Sequence, residues 1–150
     1  MANFFKNDRG QVWVLGQFVW GGLLLLAGPF NSRGWFWPAL LLTILGGGLS
    51  AAAVLNLGNN LSVFPKPKED AVFVDRGLYR WVRHPIYSGL LVAGLGWCAF
   101  WLSWPAGVLE VVFLIWMDRK AASEERWLKQ RYSNYTDYQK RVKKFFPGLY

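Results

Sequence analysis

Cysteine and histidine are almost absent from this chain: Cys98 and His84 each occur once in 150 residues. A lone thiol excludes an intramolecular disulfide, and its place inside an apolar run predicts a packing role. A lone imidazole excludes zinc sites built from several histidines or from histidine with several thiolates, so no metal site is expected. Charge is scarce too, at 17% of residues, against roughly a quarter in ordinary soluble domains.

What replaces charge is apolar and aromatic. The sequence is 53% hydrophobic and 18% aromatic, with ten Trp, in a length that suits one domain. Seventeen basic residues against nine acidic ones give a net charge of +8. Nucleic acid is not the expected partner, because the basic residues lie between and after apolar bands and form no stripe on a soluble module. Orientation in a membrane explains them better.

Four apolar bands are expected to be spans, at residues 12–30, 37–57, 85–102 and 105–119. The first carries no charge and has the roughly 20 residues that ~30 Å of hydrocarbon demands. Its flanks do not form a signal peptide, so it is expected to stay in the mature protein. Residues 31–36 make a short connection, with Trp35 and Trp37 as interfacial anchors. The second band contains Gly46, Gly47, Gly48, Ser50, Ala51, Ala52 and Ala53, a thin face for close helix packing. These glycines are no phosphate loop, since no strand precedes them and no Lys-Ser/Thr follows. Gly94 and Gly107 predict a close hairpin between the last two bands. The fourth band is short unless its helix continues through residues 118–129, and the spacing of Glu124, Trp127, Leu128 and Arg131 predicts that it does.

Lys and Arg number two before the first band, one in residues 31–36, five in 58–83 and nine after Met117. By the positive-inside rule, both termini and the long central loop are expected to be cytoplasmic. The reading is an all-α, multi-pass membrane bundle of about four helices with a cytoplasmic C-terminal helical extension. Residues 1–150 form one domain, its polar half at 58–85 and 118–150.

Two clusters could carry chemistry. Arg83-His84-Pro85-Ile86-Tyr87 opens the third band, placing a cation, an imidazole and a phenol where free helix N–H groups already favour anions. Its plainer reading is a snorkelling Arg83, a capping His84 and an interfacial Tyr87. Glu124-Glu125 follows the fourth band, with Lys120 one turn earlier, and an ordinary solvent-facing ion pair is the plainer reading there. A hairpin returns both clusters to one membrane face, where they can line one pocket. Glu110, a carboxylate inside the fourth band, is expected to pair within the bundle or, preferably, to reach the outer interface.

Taken in order, Pro65-Lys66-Pro67, Gly77-Leu78-Tyr79-Arg80, Arg83-His84-Pro85-Ile86-Tyr87, Glu124-Glu125, Tyr135, Tyr138, Arg141-Val142 and Pro147 resemble the isoprenylcysteine carboxyl methyltransferase and phospholipid methyltransferase superfamily. The resemblance covers residues 56–150. It implies a cytoplasmic C-terminal half that binds S-adenosylmethionine beside a lipophilic or lipid-anchored methyl acceptor. By position, the cofactor would be held by Ala71, Val72, Phe73, Val74, Tyr79, Arg83, His84, Pro85, Ile86, Tyr87, Glu124 and Glu125. The basic residue that recognises the acceptor in the prenylcysteine enzymes, commonly Arg, falls on Lys120 with Arg119 beside it, and these two with His84 are the catalytic candidates.

An activated methyl needs an in-line nucleophile in a dry pocket more than it needs covalent catalysis. A carboxylate acceptor would require no base, whereas a phenol, thiol or amine would call on His84 or Glu124. The sequence leaves the acceptor and the oligomeric state open. Two other readings stand beside this one: a nicotinamide-dependent reductase related to the sterol reductases, and a non-catalytic membrane subunit on the same scaffold.

Overall fold

The computed structural model describes residues 10–28 and 36–150. The expected connection at residues 31–36, the Gly28-Pro29 end of the first band and the anchor Trp35 therefore lie wholly or partly outside the described residues. Five α-helices carry the fold: α1 (Gln11–Ala27), α2 (Phe36–Leu57), α3 (Pro85–Trp101), α4 (Trp104–Arg131) and α5 (Tyr135–Arg141). Short 3-10 turns occupy Gly58–Asn60 and Gly77–Arg80, and no strand occurs among the described residues. Each of the four longer helices starts within about one residue of an expected band. α4 runs unbroken for 28 residues, as the continuing periodicity predicts.

α2 packs on α3, α3 on α4, and α4 on α1. The α2–α3 seam is close enough that side chains would obstruct it. A methyl on Gly46 would sit 2.3 Å from the Ala93 nitrogen, and one on Gly89 would sit 2.6 Å from the Ser50 nitrogen. Ser50 Oγ donates to the Ile86 carbonyl across the same seam at 2.9 Å. The thin-face expectation thus holds for Gly46 and Ser50, whereas Gly47 and Gly48 face open space.

Gly94 and Gly107 act differently from the expected hairpin contact. Gly107 also faces open space, and the missing side chain of Gly94 leaves room for the Glu110 carboxylate, 2.2 Å from where a methyl would lie. Glu110 itself corrects an expectation: it is buried instead of reaching an interface, and among the described residues neither of its oxygens has a hydrogen-bond partner. The α3–α4 turn is made by Leu102 in the left-handed conformation and by Ser103. Ser103 Oγ accepts from Ala106 N–H, capping α4, and donates to the Ala27 carbonyl at the end of α1.

α1 is fastened by two indoles, Trp97 Nε1 donating to Leu24 O at 3.1 Å and Trp116 Nε1 to Trp13 O at 3.2 Å. Leu26, Trp37, Leu55 and Trp104 are each at least 75% exposed. Apolar exposure on that scale is a lipid or partner surface in a stable protein. By length and composition α2 is long and apolar enough to cross a membrane, while α1 and α3 are shorter apolar helices.

Beyond α5 the chain returns to the start of α3. Lys143 O accepts from Arg83 N–H at 2.8 Å and Lys144 O from His84 N–H at 3.0 Å. Ser88 Oγ donates to Phe145 O at 2.7 Å. Phe145 is buried in one cluster with Leu91, Phe113, Met117 and Ala121, so the C-terminal segment is part of the core that fixes the His84 turn.

Candidate active site

Pro85 opens α3 at its first turn, where the missing N–H costs no helix bond. His84, just before it, makes no side-chain cap. Its ring turns instead toward α4, because two carboxylates wait there. Nε2 lies 3.0 Å from Glu125 Oε1, and Nδ1 lies 3.7 Å from Glu124 Oε2. Adjacent Glu124 and Glu125 thus flank the one imidazole from two sides.

The two glutamates have separate environments. Glu125 is buried and accepts from Arg83 Nε at 2.7 Å and from Gln139 Nε2 at 2.7 Å. Burial alone would raise its carboxyl, but hydrogen bonds and charge from His84 and Arg83 prevail and hold it at about 2. Arg83 Nη1 donates to the carbonyls of Gln139 and Val142, so this guanidinium ties α3, α4, α5 and the returning tail together. Glu124 is more open and accepts from the Tyr87 hydroxyl at 2.8 Å. The His84 and Tyr87 rings stack at 5.3 Å. The solvent-facing ion pair expected as the plain reading of Glu124 and Lys120 is not what forms.

Lys120 is 3% exposed, one turn before Glu124. Its ammonium donates to Gln17 Oε1 of α1 at 2.5 Å and lies 5.0 Å over the Tyr87 ring. Burial lowers its pKa and the Glu124 charge opposes that. Arg119, the neighbouring candidate, is exposed and does not line the site. One residue along a helix turns the side chain by about 100°, so only one of the pair can face inward, and here it is Lys120.

These groups open on a cavity of about 330 Å³, at the low end of the roughly 300–1,000 Å³ usual for small-molecule sites. It is walled by residues 71–74, Tyr79, Arg83, His84, Ile86, Tyr87, Lys120 and Glu124, and in addition by Tyr132, Tyr135 and Tyr138. Pro85 and Glu125, also named from the sequence, stand behind the wall: Pro85 starts the helix and Glu125 anchors His84 and Arg83. The apolar side of the cavity is lined by Phe18 of α1 and Val54 and Leu57 of α2. Gln17, Phe18, Val54 and Leu57 were not legible as site residues, since three are ordinary lipid-phase side chains. Gln17 carried one signal, an amide within the otherwise apolar band at residues 12–30.

The strip at 71–74 is held from outside. Asn60 Oδ1 accepts from Val72 N–H at 2.7 Å, and Tyr132 Oη donates to Ala71 O at 2.7 Å. Arg131 donates to Glu69 O and Ala71 O. Among the described residues, the backbone N–H and C=O groups of Phe73 and Val74 bond to no protein group. Phe73 is fixed by aromatic contacts to Tyr132, Tyr135 and Tyr138. A strand-like edge with free donors and acceptors, facing an aromatic wall, suits a planar heterocycle.

The sequence profile of the phospholipid methyltransferase family matches residues 35–135. The chain belongs to that family. Its relatives extend the assignment to the isoprenylcysteine carboxyl methyltransferase superfamily. Protein-S-isoprenylcysteine O-methyltransferase of Saccharomyces cerevisiae is 31% identical over 107 residues, 68% of this chain and 44% of that protein. The enzyme of the same name from Dictyostelium discoideum is 25% identical over 120 residues, 77% of this chain and 50% of that protein. The cobalt-zinc-cadmium resistance protein CzcN of Cupriavidus metallidurans is 30% identical over 151 residues, 99% of this chain and 68% of that protein. A eukaryotic intramembrane Ras methyltransferase, isoprenylcysteine carboxyl methyltransferase, shares the fold at a TM-score of 0.70 and 22% identity, over 97% of this chain and 55% of that structure. This family member therefore spans half or less of the two relatives named as methyltransferases.

Proposed function

We propose that this chain is an S-adenosylmethionine-dependent membrane methyltransferase acting on a lipophilic acceptor. The observation that carries the reading is a single cavity in which a His/Arg/Glu cluster, a free backbone edge and an apolar mouth all meet. Family membership and the shared fold support it. The residues present fit the cofactor. Phe73 and Val74 offer backbone groups to a purine edge, and Tyr79 lies nearby for stacking. Arg83 keeps Nη2 uncommitted among the described residues, available to a carboxylate. Glu124 keeps one oxygen for an ammonium or a ribose hydroxyl.

When bound, S-adenosylmethionine supplies a methyl group already activated on a sulfonium. The protein's work is then to position and to dry the site. Tyr87, fixed by Glu124, stacked on His84 and lying under the Lys120 ammonium, braces the groups that would hold the cofactor and the acceptor. Phe18, Val54 and Leu57 keep water from the acceptor side, and a lower effective dielectric strengthens attraction between opposite charges there. Lys120 orients an anionic acceptor; for a protonated one, Glu124 or His84 is the base within reach. We further propose that α1, α2, α3 and the first half of α4 cross the bilayer, with the cavity at its cytoplasmic face, as the Lys and Arg distribution favours.

The test is purified protein in lipid, given labelled S-adenosylmethionine and a membrane extract. Binding should raise the melting temperature, and label should appear in a lipophilic product. No thermal shift with either S-adenosylmethionine or S-adenosylhomocysteine would overturn the proposal.

A further inference from the structure

Lys120 is a cation that the fold compensates only in part, through the Tyr87 ring beneath its ammonium and the Glu124 charge one turn away. Its ammonium is buried at the cavity wall, yet among the described residues no carboxylate forms an ion pair with it. Glu124, on the next turn, is turned toward Tyr87 and His84. Among the described residues, the only hydrogen-bond acceptor that Lys120 reaches is Gln17, which is neutral. A buried cation with no carboxylate in contact is costly unless something else in the site supplies a counter-charge.

Gln17 adds a second piece of chemistry. An ammonium only donates, so the amide oxygen must be the atom facing Lys120, whichever way the amide would otherwise be assigned. Its Nε2 makes no bond among the described residues, and Gln17 lines the cavity. α1 and α4 thus bring two donors, one charged and one neutral, to the same wall, beside apolar Phe18. A planar oxyanion at the head of an apolar chain matches such a pair.

We propose that Gln17 is a specificity-determining residue, holding the Lys120 ammonium in the cavity and adding its own amide N–H, so that the site selects an acceptor bearing an oxyanion over a neutral one. The word acceptor rests on the methyltransferase reading; the preference for an oxyanion does not. Replacing Gln17 by an apolar residue removes the neutral donor and frees Lys120. Replacing it by Glu places a counter-charge on Lys120 from within, and the vacancy for an external anion disappears.

The experiment measures binding to the full chain in lipid nanodiscs at neutral pH, with and without S-adenosylhomocysteine. The probes are N-acetyl-S-farnesylcysteine and its carboxamide, which share a tail and differ in head-group charge. Wild type should favour the acid at least tenfold. Gln17→Leu should lower that preference about tenfold, the size of one hydrogen bond to a charged group, and Gln17→Glu should turn it toward the amide. Gln17→Glu retains a partner for Lys120, so it tests the assignment even if Gln17→Leu does not fold. Equal binding of acid and amide by wild type, or an acid preference unchanged in Gln17→Glu, would overturn the assignment. A shift of the preference without any S-adenosylhomocysteine binding would sink the methyltransferase reading and leave the Gln17 assignment standing.

Discussion

Arg83 Nε lies 2.7 Å from Glu125 Oε1, joining side chains 42 residues apart that are 10% and 7% exposed. Removing one partner of such a buried pair strands the other charge, at a typical cost of about 3–5 kcal/mol. Glu125→Ala should therefore lower the melting temperature markedly, and more than Glu124→Ala. Comparable melting of the two variants would show that Glu125 is not the anchor.

The same pair sets a pH dependence. The Glu125 carboxyl is held at about 2, below its ordinary value near 4.5. A group with a depressed folded pKa contributes its full stability above the unfolded value and loses it as pH falls toward the folded one. Wild type should lose stability between about pH 5 and pH 2, and Glu125→Gln should lose less over that window. Melting curves at stepped pH decide it; parallel slopes would exclude Glu125 as the source.

Cofactor affinity should separate the two glutamates in the other direction. Glu124 borders the cavity, so Glu124→Ala should weaken S-adenosylhomocysteine binding by about tenfold or more, while Glu124→Gln, which still accepts from Tyr87, should weaken it less. His84→Ala should weaken both binding and stability, because His84 lines the cavity and also holds Glu125. Calorimetric titration beside melting gives both readings. Unchanged affinity in Glu124→Ala and His84→Ala would remove them from the cofactor site.

How much of this was written in the sequence depends on the distance over which each feature is decided. The long helices are local: runs of apolar pattern, a Pro at the first turn of α3 and a Ser cap on α4 suffice to place them. That Arg83-His84 and Glu124-Glu125 face each other follows from a hairpin. The division of labour between the glutamates does not, because it depends on Arg83 and Gln139, which bond to Glu125 and not to Glu124. The partner of Gln17 was not legible for the same reason, lying 103 residues away. Glu110 was misplaced because Gly94 provides a niche that only the packed pair reveals.

Helical phase gives a prediction that adjacent residues can test. Lys120 faces the cavity and Arg119 does not, so Lys120→Met should raise the acceptor KM with little change in cofactor affinity, whereas Arg119→Ala should leave both near wild type. Saturation kinetics with a lipophilic acceptor measures it. An Arg119 effect as large as that of Lys120 would place the acceptor outside the cavity described.

The three consecutive glycines of α2 provide the sharpest test of the packing on which the site depends. A methyl at Gly46 would meet the Ala93 backbone at 2.3 Å and the Gly89 carbonyl at 2.6 Å, and backbone cannot turn aside as a flexible side chain can. Gly46→Ala should force α2 away from α3, at a cost of about 1–3 kcal/mol or more. Because Ser50 bonds to Ile86 on that seam and Ile86 lines the cavity, cofactor binding should weaken as well. Gly47→Ala and Gly48→Ala enter open space, where the helix propensity of alanine favours the change by up to about 1 kcal/mol. Melting of the three variants in one lipid composition should therefore show one strong loss and two neutral or stabilised proteins, and equal losses at all three would mean that α2 presents a different face to α3.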